Sequence, residues 1–85
     1  MENIIVTVTN NNKTFMCDLE LPTDVKLQKL RLDVIEALNG LNPGLHLDSG
    51  NTLLICNRLG RRLIPEETLE SAGVWNGDYL TVMEV

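Results

Sequence analysis

Thr68-Leu69-Glu70-Ser71-Ala72-Gly73-Val74-Trp75-Asn76-Gly77-Asp78-Tyr79-Leu80 is the stretch on which the fold of this chain turns. It carries three signals. Asn76-Gly77-Asp78 is a strong turn. After it, residues 79–84 read as a strand with Leu80 and Val82 facing inward. Before it, Glu66 to Ala72 is too short for a full helix and reads as one turn, with Leu69 pointing into a core.

Working back from this stretch, Arg62 to Ile64 forms a short strand stopped by Pro65, and Arg58-Leu59-Gly60-Arg61 turns the chain ahead of it. Residues 52–57 make another strand. Leu53 and Ile55 share one face, Leu54 and Cys56 the other, and apolar residues on both faces suit a central position. Residues 41–51, marked by Pro43, Gly44 and Gly50, are a loop. A helix precedes it, because Leu27, Leu30, Val34 and Leu38 recur at three- and four-residue steps and make one apolar stripe. Pro22-Thr23-Asp24 opens this helix, with the Thr23 hydroxyl as cap, and Asn39-Gly40 closes it. At the start of the chain, residues 3–9 and 14–21 alternate as strands around the Asn10 to Lys13 turn, which is a hairpin. Phe15, Cys17, Leu19 and Leu21 share one face of the second strand.

The resulting order is β-β-α-β-β-β. It predicts an α+β domain with one helix packed on a mixed five-stranded sheet, a single domain over 1–85. The helix acts as a right-handed crossover, so the strand that follows it is expected to lie parallel to the first.

This pattern resembles the ubiquitin-like β-grasp superfamily. The likeness is carried by Leu53-Leu54-Ile55-Cys56, the basic turn, Leu63, Thr68-Leu69 and the 68–80 stretch. Within that superfamily the chain resembles the YukD/EsaB family, small ubiquitin-like proteins associated with type VII (WXG100, Esx-type) secretion, over nearly its whole length. Trp75-Asn76-Gly77 is not read as the WXG motif of the secreted substrates, because it falls in a turn and not between two long helices. The resemblance implies a binding role. Ubiquitin and the related sulfur carriers end in Gly-Gly, since only a side-chain-free tail threads the activating enzyme. This chain ends Thr81-Val82-Met83-Glu84-Val85, so conjugation is not expected.

Twelve acidic against seven basic residues give a net charge of −5. Such a protein is repelled by nucleic acid and anionic membranes. No stretch approaches the ~20 apolar residues of a membrane span, and Met1-Glu2-Asn3 lacks the positive region of a signal peptide. The chain therefore reads as cytoplasmic, with Cys17 and Cys56 reduced, no nucleic-acid partner and no membrane insertion. Three Cys and His residues spread over separate elements do not suit a structural zinc site. Glu66, Glu67 and Glu70 read as a solvated face, and no phosphate-binding glycine loop is present. Neither an enzyme nor a cofactor is expected.

Candidate contact residues follow from apolar or basic groups left without an internal role. Ile5, Leu54, Cys56 and Met83 are expected on the sheet face away from the helix, as one apolar patch for a partner protein. On that assignment Cys17 and Cys56 lie on opposite faces and cannot form a disulfide. Arg58, Arg61 and Arg62 form a basic turn suited to an acidic partner surface. On the helix, Leu32 points roughly 140° from Leu27, opposite the core stripe, while Val25 packs under a loop and Ile35 lies on the flank. Homodimerisation through the Leu32 face would equally account for it. Three functions remain open: a non-conjugated binding module docking on cytosolic parts of a membrane secretion machine, a truncated or precursor sulfur carrier or modifier, and a structural subunit of a larger complex.

Overall fold

The computed structural model describes Glu2–Val85; Met1, included in the domain expected over 1–85, lies outside the described residues. Along the described residues run β1 (Asn3–Asn10), β2 (Met16–Pro22), α1 (Leu27–Leu41), β3 (Thr52–Cys56), β4 (Arg61–Arg62), α2 (Leu69–Ala72) and β5 (Tyr79–Glu84). The strands form one mixed sheet in the order β2-β1-β5-β3-β4. β1 and β5 pair in parallel at its centre, and every other pairing is antiparallel. One long helix and a mixed five-stranded sheet are the architecture the sequence predicts.

The direction of β3 differs from the expectation. β3 is antiparallel to β5, which is parallel to β1, so β3 runs opposite to β1. The strand it matches in direction is β2, from which the chain leaves for α1. The crossover thus joins β2 to β3, two parallel strands with β1 and β5 between them. The parallel partner of β1 is the last strand.

The core lies between α1 and the sheet. Leu27, Leu30, Val34, Ile35 and Leu38 supply the helix side, and Val6, Val8, Leu54, Cys56, Leu80 and Val82 the sheet side. Each buried leucine or valine contributes about 1.5–3 kcal/mol. Ile35, expected on the flank, is 3 % exposed and belongs to the core.

The two faces of β3 are reversed relative to the sequence reading. Leu54 (1 % exposed) and Cys56 (0 %) point into the core, while Leu53 and Ile55 are half-buried on the outer face. The register explains this. Leu54 pairs with Val82 and Cys56 with Leu80, and both partners face inward. Side chains alternate with a period of two, so directly paired residues share a face. With apolar residues on both sides of β3, its own sequence cannot choose between them.

The helix ends also differ. Thr23 is not the cap of α1: it is buried, and its N–H and hydroxyl both donate to the Glu2 carbonyl. α1 starts at Leu27, and Lys26 makes no side-chain cap bond. Its first amides instead donate to loop carbonyls, Leu27 to Glu67 (2.7 Å) and Gln28 to Pro65 (3.0 Å). These bonds satisfy donors that a helix start leaves open. At the other end α1 runs through Gly40 to Leu41. Asn39 does not stop it, because its side chain is held elsewhere: Asn39 Oδ1 accepts from the Leu47 N–H (2.9 Å) and Nδ2 donates to the Leu47 carbonyl (3.2 Å). That bracket lays the 42–51 loop along the helix.

Candidate functional site

The outer sheet face, away from α1, is chemically mixed. On β1 and β2 polar pairs, Thr7 donating to Asp18 (2.7 Å) and Asn3 to Glu20 (2.9 Å), stand beside the exposed side chains of Ile5 and Met16. On β3 and β5 apolar side chains predominate: Leu53 sits directly opposite Met83, and Ile55 lies on the same face between Thr81 of β5, whose hydroxyl donates to Asn57 (2.7 Å), and Arg62 of β4. Leu53, Ile55 and Met83 are each half-buried, whereas Arg62 is exposed.

Of the four residues expected to form one patch there, only Ile5 and Met83 lie on this face. Leu54 and Cys56 are core residues, and Leu53 and Ile55 occupy the outer positions. Nor are Ile5 and Met83 neighbours. Thr7 is level with Tyr79, so Ile5 stands two residues before that level and Met83 four beyond it, a separation of about 20 Å along the strands. Ile5 (49 % exposed) keeps company instead with the Asn76–Gly77 turn, whose Asn76 side chain accepts its N–H and whose Gly77 N–H donates to its carbonyl.

The basic turn is divided as well. Arg58 Nε lies 3.0 Å from Asp78 Oδ1, and its guanidinium also donates to Oδ2 and to the Gly73 carbonyl. The same guanidinium stacks 3.7 Å from the centre of the Trp75 ring. Arg61 grips Glu67 with two parallel bonds of 3.0 and 2.8 Å. Arg58 and Arg61 are therefore committed to internal carboxylates, which corrects the expectation of a three-arginine docking patch. Among the described residues Arg62 has no carboxylate within 4.0 Å.

Asp78 is the residue that the sequence reading missed. Taken as one letter of a turn, it is 8 % exposed. Its carboxylate accepts from Arg58, from the Trp75 N–H (2.8 Å) and from the Cys56 thiol (3.8 Å). The Arg58 hydrogen bonds hold the Asp78 carboxyl below the usual range, against burial, and the Trp75 amide adds to the lowering. Glu67 is lowered in the same way by Arg61 and then by the Ile64 amide. The one available signal was the spacing of a lone acid after Asn-Gly, which is not specific.

Leu32 is 44 % exposed on α1, as its angle predicts, and nearby Ile35, Glu36, Asn39, Leu47 and Ser49 line a shallow depression beside it. Val25 precedes α1 and packs on the core edge. Burial, with a smaller contribution from Asp18, pushes the Cys17 thiol up. Trp75-Asn76-Gly77 lies in the turn before β5. No group of three or more metal-ligating side chains occurs among the described residues, and no helix there is long and apolar enough to cross a membrane.

Solved structures place this geometry among ubiquitin-like folds. The EccD5 ubiquitin-like domain from Mycobacterium xenopi superposes with a TM-score of 0.81 at 15 % identity, covering 100 % of this chain and 97 % of that one. The ubiquitin-like domain of the Mycobacterium tuberculosis type VII secretion system protein EccD1 gives 0.78 at 22 % identity, covering 99 % and 100 %. Caldiarchaeum subterraneum ubiquitin gives 0.76 at 22 % identity, covering 99 % and 95 %. At these identities the likeness establishes the fold alone. No curated protein matches the sequence. The family model of YukD, a protein of the WXG100 protein secretion system (Wss), matches residues 3–82. With that match spanning almost the whole sheet and helix, the chain belongs to the YukD family.

Proposed function

We propose that this chain is a non-conjugated protein-binding module, a cytoplasmic accessory component of a type VII-like secretion system that docks on cytosolic parts of the membrane machine. Membership of the YukD family supports the association with secretion. One observation carries the binding role: the outer-face cluster of Leu53, Ile55 and Met83, flanked by the unpaired Arg62. Apolar residues that fill no core, gathered on a rigid sheet beside a free guanidinium, suit an apolar partner surface with acidic groups at its rim. Met83 and Arg62 keep the contact roles first assigned to them, joined by Leu53 and Ile55. Ile5 and Leu32 are the outlying candidates, with Leu32 also available to a second copy of the chain.

Pull-down with the cytosolic domains encoded beside its gene tests this reading. Ile55→Asp is expected to leave the circular dichroism spectrum and Tm close to wild type and to abolish capture. Leu54→Ala, one position away, is expected to cost about 2–5 kcal/mol by emptying part of the core. Undiminished capture by Ile55→Asp and Met83→Asp would remove the outer face as the docking surface.

A further inference from the structure

A separate feature lies where α1 passes the edge of the sheet. β4 is only two residues long, so on the side away from β5 no strand flanks β3 before Ile55, where the Leu63 N–H still donates to the Leu54 carbonyl (2.8 Å). There Leu27 of α1, Leu53 and Leu54 of β3, and Leu63 and Pro65 after β4 wall a cleft of about 170 Å³. Small-molecule sites run to roughly 300–1,000 Å³. This cleft is therefore too small for one, and holds a side chain or two.

Its remaining lining is Arg31 and Arg62. Arg31 is held in place by the carbonyls of Ser49 and Thr52, the latter at 3.2 Å. Those carbonyls fix the guanidinium without cancelling its charge. Neither arginine has a carboxylate within 4.0 Å among the described residues. On a chain of net charge −5, two uncompensated guanidiniums on one apolar cleft form a local field opposite to that of the whole protein. Guanidinium groups recognise carboxylates through paired hydrogen bonds.

The geometry points to an occupant of one kind: an extended segment of a partner protein that inserts a single aliphatic side chain and carries acidic residues on both sides of it. The aliphatic group would meet Leu27, Leu54 and Leu63, and the flanking carboxylates would meet Arg31 and Arg62. Leu53 and Arg62 border both this cleft and the outer face, so one partner could engage both. The cleft nevertheless stands independently of the outer-face reading, because Ile55 and Met83 take no part in it.

NMR titration of the isotope-labelled full chain tests the cleft. The probe is a blocked peptide, Asp-Glu-Leu-Asp-Glu, with two controls: alanine in place of leucine, and lysines in place of the acids. Saturable shifts are expected at the amides of Leu27, Arg31, Leu53 and Leu63, with a Kd of roughly 1 mM or below. Both controls should lose binding. Arg62→Glu should weaken the probe by roughly tenfold, and added salt should weaken it further. Asn11→Ala, an exposed position in the β1–β2 turn at the other edge of the sheet, should bind it as wild type does. Binding of the lysine peptide as tightly as the acidic one would overturn the proposal. So would shifts centred on Met83 and Ile55, or no saturating response.

Discussion

Asp78 shows how much one side chain can organise. Its carboxylate ties the turn before β5 to Arg58, to the Trp75 amide and to the thiol of Cys56 in β3. Because the folded carboxyl titrates below its unfolded value, it contributes stability that is fully present above the unfolded pKa of about 3.9. That stability is lost as pH falls through the folded pKa. Asp78→Asn is expected to lower stability at pH 7 by about 1–3 kcal/mol, the worth of hydrogen bonds to a charged group. It should also flatten the stability-against-pH curve below about pH 4. Urea unfolding at several pH values measures both, and an unchanged acid limb in the variant would show that Asp78 is not its source. Arg58 and Trp75 belong to the same unit. The stacked ring stays 63 % exposed, so Trp75 is positioned by the fold without being consumed by it.

Among the elements, α2 is four residues long and cannot be stable by itself. It is held by a reciprocal cap: Ser71 N–H donates to the Thr68 hydroxyl (3.0 Å) and Thr68 N–H to the Ser71 hydroxyl (2.9 Å). Gly73, at φ 84°, closes the other end in a left-handed conformation that suits glycine. The preceding loop then supplies the Pro65 and Glu67 carbonyls that start α1. The loop leading into α2 therefore caps α1. Thr68→Ala is expected to cost about 1 kcal/mol, seen as a lower urea midpoint with an unchanged m-value. A neutral Thr68→Ala would mean that tertiary contacts hold α2 without its cap. The existence and type of every element were legible, because alternation and the three- and four-residue steps survive in a single sequence. The ends of α1 were not, since Glu67 and Pro65 lie about forty residues downstream and no local pattern announces them.

Across the whole molecule, register decides which residues meet. Cys17, Val8, Leu80 and Cys56 form one row across β2, β1, β5 and β3. Both cysteines therefore face the helix side, contrary to the expectation that the sheet separates them by face. They still cannot bond. Three strand spacings hold them about 14 Å apart, against a Cα limit of roughly 7 Å for a disulfide. Mild oxidation of the native protein should leave two free thiols by mass spectrometry, and an intramolecular link formed without unfolding would refute the sheet order. The same register moved the apolar patch. That Ile5 and Met83 face away from the helix was readable, whereas the choice of Leu53 and Ile55 over Leu54 and Cys56 for the outer side of β3 was not.

By itself the sequence determined the order of elements, the apolar stripe of α1, the turn at Asn76-Gly77-Asp78 and the ubiquitin-like class, because each is written in near-neighbour spacing. The tertiary structure alone decided which side of β3 is buried, which arginines are neutralised by Asp78 and Glu67, and what caps α1. A strand apolar on both faces and a charge six or twenty residues from its partner have no local preference. Only pairing β3 with β5, and folding the loops back on α1, fixes those choices.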